Sequence, residues 1–127
     1  MAAKKNSDRL TPLELEIMNI LWDIGAAPVS AVQERLAATR ELAYTTVQTM
    51  LNILCRKGKL KRVLVERAYH YRPAVTRRKA VGQAVRELVQ RAFDGSAEAL
   101  VMTLVESKQL SPEALQRLQK IVEEQDE

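Results

Sequence analysis

Cysteine and histidine are almost missing from this sequence, with Cys55 and His70 the single examples in 127 residues. One thiol rules out an internal disulfide and any multi-thiolate metal site. One imidazole rules out the usual His-paired metal sites and leaves little material for acid–base catalysis. There is no glycine-rich phosphate loop and no nucleophile–base pair, so the chain does not read as an enzyme, and it calls for no cofactor and no metal. Aromatic residues are 4% of the total, so a core has to be assembled from Leu, Ile, Val, Met and Ala. No apolar run nears the ~18 residues of a membrane span. The opening Met1-Ala2-Ala3-Lys4-Lys5-Asn6-Ser7-Asp8 has no hydrophobic stretch and does not read as a secretory signal. The expectation is a cytoplasmic protein with no membrane insertion.

What is present is ordinary globular composition, 46% apolar and 28% charged, in a length suited to one domain or a small domain with an appendage. The charge is unevenly placed. Residues 1–75 hold twelve Lys/Arg against seven Asp/Glu, whereas 76–127 hold eight against nine. From Cys55 to Lys79 there are ten basic residues and one acid, Glu66. Such a block fits a polyanionic partner, because each neutralised phosphate releases a counterion. It fits a solvated basic face as well.

Periodicity supplies the elements. Thr11-Pro12-Leu13-Glu14 is a capping box with proline at the first helical position, and Leu10 with Leu15 can close a hydrophobic staple. Leu13, Ile17, Ile20, Leu21 and Ile24 follow at helical spacing, and Gly25 ends the run. A second, short helix is predicted after Val29, with Ser30 as N-cap and Gln33 completing the reciprocal bond, fading by Thr39-Arg40. A third helix is predicted from Tyr44 to Lys57, stopping at Gly58. Val47, Met50, Leu51 and Leu54 form its buried stripe; Thr45, Gln48, Thr49, Asn52 and Arg56 line the opposite side.

The period then changes to that of strands. Leu60-Lys61-Arg62-Val63-Leu64-Val65 and Tyr69-His70-Tyr71-Arg72 read as two strands joined by the short turn Glu66-Arg67-Ala68, with Pro73 ending the second. Helical spacing returns from Thr76. A long helix over Arg77 to Phe93 carries Val81, Val85, Leu88 and Ala92. Asp94-Gly95-Ser96 breaks it and caps a shorter helix with Leu100, Val101, Leu104 and Val105. Ser111-Pro112 starts the last, which carries Leu115, Leu118, Ile121 and Val122 before an acidic tail that is expected to fray.

Three helices followed by a basic hairpin is the order of a winged helix-turn-helix, in which the third helix enters the major groove. The predicted fold is therefore mainly α with a small β-hairpin wing: a DNA-binding domain over 8–75 and a helical dimerisation region over 76–124. Gln48 and Asn52 suit adenine edges, Arg56 suits guanine or phosphate, and the hydroxyls of Thr45, Thr46 and Thr49 suit bases or backbone. Lys59, Lys61, Arg62 and Arg67 would meet phosphates or a minor groove. A Thr/Gln/Asn face can equally be a solvated surface, and winged helices also serve as protein-interaction adaptors without a DNA role. The C-terminal helices have too few residues to close a useful core alone, so Val81, Val85, Leu88, Leu100, Leu104, Leu115, Leu118 and Ile121 are candidates for pairing with a second copy. Folding back on the winged part as a monomer is the alternative. Cys55, His70, Trp22, Tyr69 and Tyr71 read as packing residues.

These strings resemble the penicillinase-repressor (BlaI/MecI) family from Leu10 to about Glu124. The matching segments are Leu10-Thr11-Pro12-Leu13-Glu14-Leu15-Glu16-Ile17-Met18 with Leu21-Trp22, Pro28-Val29-Ser30, Tyr44 to Leu54 with Lys57-Gly58, and Arg67-Ala68-Tyr69 with Tyr71 and Pro73. The resemblance implies a dimeric repressor on dyad operator DNA. It also implies a possible partner, a regulatory membrane protease that cleaves in the helix after the Gly-Ser step. Thr103-Leu104 stands at that place, where the family's cleaved Asn-Phe pair would be. Copper sensing through a C-terminal cysteine cluster, known in a related branch, is excluded on ligand count.

Overall fold

The computed structural model describes residues 9–125, so the leader reading of Met1–Asp8 and the last two residues of the acidic tail lie outside the described residues. Contacts divide the chain into two compact units, Met1–Ala84 and Val85–Glu127.

The first unit is built from α1 (Pro12–Ile24), α2 (Val29–Leu36), α3 (Tyr44–Arg56), β1 (Leu60–Val65), β2 (Ala68–Pro73) and the opening turns of α4 (Arg77–Ala92). Helix α1 starts at its capping box. Thr11 Oγ1 accepts from the Glu14 amide at 3.2 Å, and Glu14 Oε1 accepts from the Thr11 amide at 2.8 Å. The predicted cap of α2 is wrong. Pro28 is the N-cap, no side chain caps it, and Ser30 lies inside the first turn. The cause is a β-bridge in which Ala27 and Tyr71 exchange amide–carbonyl bonds of 3.0 and 2.8 Å, pinning the backbone just before Pro28. Gln33 is used elsewhere, its Nε2 donating to the Leu42 carbonyl at 3.0 Å and so bracing the turn before α3.

Helix α3 ends one residue earlier than its sequence predicts, with Lys57 as C-cap. Lys59 N donates to the Leu54 carbonyl and Gly58 N to the Cys55 carbonyl, at 2.9 and 3.0 Å. This paired C-terminal lock needs a left-handed residue between them, and Gly58 supplies it at φ 77°. The hairpin loop is also shorter than its sequence predicts. Ala68 belongs to β2 and pairs with Val65, leaving the two-residue loop Glu66-Arg67. Both residues have positive φ, 47° and 74°, as a tight hairpin turn matched to strand twist requires.

The core takes one stripe from each helix. Ile17, Met18 and Leu21 of α1, Val32 and Leu36 of α2, and Val47, Leu51 and Leu54 of α3 are buried, and Leu60 and Tyr71 of the hairpin close one side. Met50 packs at its edge, half-buried. The chain leaving β2 is tied down by Trp22, whose Nε1 donates to the Val75 carbonyl at 3.0 Å. The Arg77 guanidinium lies 5.5 Å from the Trp22 ring centroid.

The second unit holds the rest of α4, then α5 (Ala97–Glu106) and α6 (Pro112–Gln125). Ser96 Oγ and Ser111 Oγ cap these last two helices, accepting from Ala99 N and Ala114 N at 3.0 Å each. Helix α6 continues through Glu123 and Glu124 to Gln125, so that part of the acidic tail is helical rather than frayed. Among the described residues of this unit none is fully buried. No helix among the described residues is long and apolar enough to cross a membrane.

Candidate nucleic-acid interface

Helix α3 presents two chemically opposite faces because its apolar residues recur at positions 47, 51 and 54, one turn apart. Opposite that stripe, Thr45, Thr46, Gln48, Thr49 and Arg56 are exposed. Thr49 Oγ1 donates to the Thr45 carbonyl at 2.8 Å, so its proton is spent within the helix and it faces outward as an acceptor and a methyl group. Ala43 is the N-cap of α3, and no side chain caps the helix there.

Asn52 differs from the others in the row. It is half-buried, and its Oδ1 accepts from the Tyr71 hydroxyl at 3.1 Å and from Arg62 Nη1 at 3.5 Å. The Arg62 guanidinium also lies over the Tyr69 ring, 4.3 Å from its centroid. Arg62, expected to meet phosphates or a minor groove, is exposed and leans on Asn52 and the Tyr69 ring. Beside this cluster runs an open groove of about 420 Å³ lined by Asn52, Cys55, Arg56 and Arg62. Burial pushes the Cys55 thiol up from its ordinary value, against the pull of the Arg62 guanidinium. Burial likewise pushes the Tyr71 phenol up, with the nearby Arg62 guanidinium opposing.

Strand alternation separates the expected wing cations. Arg62 sits opposite Tyr71, on the face that meets α3, whereas Lys61 sits opposite Arg72 on the other face. Lys61 and Arg72 are both exposed. Two like charges directly across a strand pair are destabilising unless an anion lies near them. Arg72 was not among the residues singled out from sequence, because only the register reveals its partner. Arg67 stands exposed at the loop tip, and Lys59 is half-buried at the foot of the hairpin.

Not every residue of the basic block is available. Lys57 Nζ lies 2.8 Å from Glu14 Oε1 and also donates to the Arg9 carbonyl at 2.8 Å. Glu14 is 2% exposed. The sequence shows Glu14 as a capping residue and conceals this second role, since its partner lies 43 positions away. Arg35 pairs with Asp23, and Arg40 with Glu16 at 3.1 Å.

A helical trio whose third member exposes an uncharged hydrogen-bonding row, beside a two-stranded cationic wing joined at Ala27 by a third extended segment, is a winged helix-turn-helix. The penicillinase repressor family model matches residues 10–124, and the chain belongs to that family. The penicillinase repressor of Bacillus licheniformis is 28% identical over 120 residues, covering 94% of each chain. The transcriptional regulator BlaI of Mycobacterium tuberculosis is 38% identical over 100 residues, covering 77% of this chain and 72% of its own. Among solved structures, the Bacillus licheniformis BlaI monomeric form in complex with the blaP half-operator aligns at 29% identity and a TM-score of 0.48, over 54% of this chain and 84% of that one.

Proposed function

We propose that the protein is a cytoplasmic transcriptional repressor, without catalytic activity, that binds operator DNA as a homodimer. The row Thr45, Thr46, Gln48, Thr49, Asn52 and Arg56 reads base edges from the major groove. Lys59, Lys61 and Arg67, joined by Arg72, supply affinity through the phosphate backbone. Residues 8–75 carry the DNA and 76–124 carry the pairing. The single observation behind this reading is the exposed polar row Thr45, Thr46, Gln48, Thr49 and Arg56 of α3 set against the hairpin cations, in a chain that matches a repressor family nearly from end to end.

Pairing is supported by the state of the C-terminal helices. Val81, Val85 and Leu88 of α4, Val101, Met102 and Val105 of α5, and Leu118, Ile121 and Val122 of α6 are exposed, while Leu100, Leu104 and Leu115 are half-buried. Apolar stripes of that extent are covered in a stable oligomer. The Thr103–Leu104 bond lies inside α5, where the Thr103 carbonyl accepts from Ser107 N at 2.9 Å. A regulatory protease acting there would first have to unwind that turn.

The test is binding of fluorescent duplexes from the protein's own promoter. A dyad sequence should bind far more tightly than its scrambled counterpart, with an affinity that falls steeply as salt rises. Equal binding of the two duplexes would remove sequence-specific repression. A salt-insensitive complex with an acidic protein, and none with DNA, would establish an adaptor instead.

A further inference from the structure

The Asn52 side chain is not free to choose its hydrogen-bonding pattern. An asparagine reads adenine with both ends, its oxygen accepting from N6 and its nitrogen donating to N7. Here the oxygen already accepts from the Tyr71 hydroxyl and from Arg62 Nη1. A carbonyl oxygen has two lone-pair directions; the Tyr71 hydroxyl takes one, and the longer Arg62 contact lies at the other. Among the described residues no buried side-chain nitrogen or oxygen is left without a partner, so Asn52 Nδ2, which has none, reaches solvent. Asn52 is one of the four residues, with Cys55, Arg56 and Arg62, that line the open groove beside it.

We infer that Tyr71 is a positioning residue for base recognition: by holding Asn52 Oδ1, it presents Asn52 to the groove as a donor only, selecting guanine over adenine at the base it meets. This rests on the repressor reading above and refines its specificity. Guanine offers two acceptors in the major groove, N7 and O6, matched to the two protons of one amide nitrogen, whereas adenine puts a donor beside its N7. Tyr71 is itself held in place, with its ring buried in the core and its backbone amide and carbonyl both bonded to Ala27. The wing thereby sets the chemistry of the helix it packs on.

The experiment is selection from a randomised duplex library with four full-length proteins: wild type, Asn52→Ala, Asn52→Asp and Tyr71→Phe. Asn52→Ala identifies the dependent base pair as the one position where preference is lost. At that position the wild type should select guanine. Tyr71→Phe keeps the ring but releases the shorter of the two contacts on the oxygen, opening a lone pair to the base, and should move the preference toward adenine by about tenfold with an unchanged salt slope. Asn52→Asp keeps an acceptor for Tyr71 and Arg62 while removing the donor. It should turn the preference toward cytosine even if Tyr71→Phe folds poorly.

Adenine already selected by the wild type, the same base selected by Tyr71→Phe, or no position altered in Asn52→Ala would each overturn the inference. A wild type that enriches no motif would overturn the repressor reading as well, and so is distinguishable from those results.

Discussion

Lys57, at the end of the helix that faces the groove, holds its ammonium 2.8 Å from the Glu14 carboxylate at the start of α1. The same Glu14 oxygen accepts from the Thr11 amide, so one atom both caps a helix and neutralises a nearly buried cation. Removing one partner of such a pair strands the other without compensation, which is where the energetic cost lies.

Lys57→Met should therefore lower unfolding stability by about 2–3 kcal/mol in urea titration. It should leave the salt slope of DNA binding unchanged, because Lys57 has no ammonium to spare for a phosphate. A slope reduced by about 1 would mean that Lys57 does contact the backbone.

Glu66 and Arg67 hold positive φ without being glycine, a conformation that costs side-chain-bearing residues of order 1 kcal/mol each. The double substitution Glu66→Asn with Arg67→Gly installs the preferred pair for this turn. It should raise stability by about 1 kcal/mol while losing the loop-tip cation. Thermal melting checks the first effect and the salt slope the second. A lower melting temperature would mean that the turn is supported by contacts the substitutions remove.

Tyr71 should titrate above the ordinary phenol range, since burial holds its phenol up. Below the ordinary phenol range the neutral form is shared by folded and unfolded chains, and its contribution to stability is fully present. As pH rises from about 10 upward, the unfolded chain loses its proton first, so stability falls through that window. Absorbance titration near the tyrosinate band should show a late phase that is absent in Tyr71→Phe. A wild type without that phase would contradict the burial argument.

Leu88 and Ile121 are exposed on α4 and α6, so a charge at either should leave the isolated protomer intact. If these helices pair with a second copy, Leu88→Glu combined with Ile121→Glu should convert a dimer to a monomer in sedimentation equilibrium. Binding to the full dyad should weaken while a half-site is still recognised. A double variant that sediments as a dimer would place the interface elsewhere.

Much of the fold was legible because local rules decide it. The Thr11–Glu14 box, the serine caps Ser96 and Ser111, Gly58, and the switch from helical to alternating spacing at Leu60 act within a few residues of themselves. The polar row of α3 was legible for the same reason, since residues one turn apart on a helix share a face wherever that helix is placed. Ser30 failed as a cap because a distant event, the Ala27–Tyr71 bridge, started the helix before it.

Local spacing along the chain placed the helices and strands, to within a residue or two at their ends, and gave α3 one polar and one apolar side. Which strand residues stand opposite each other followed from packing alone. A loop of two residues rather than three shifts the pairing by one, and each such step exchanges the faces of a strand. That single step sets Arg62 beside Tyr71, Lys61 beside Arg72, and the Tyr71 hydroxyl on Asn52. Contacts between residues far apart in the chain depend on how whole elements pack, and no local spacing encodes them.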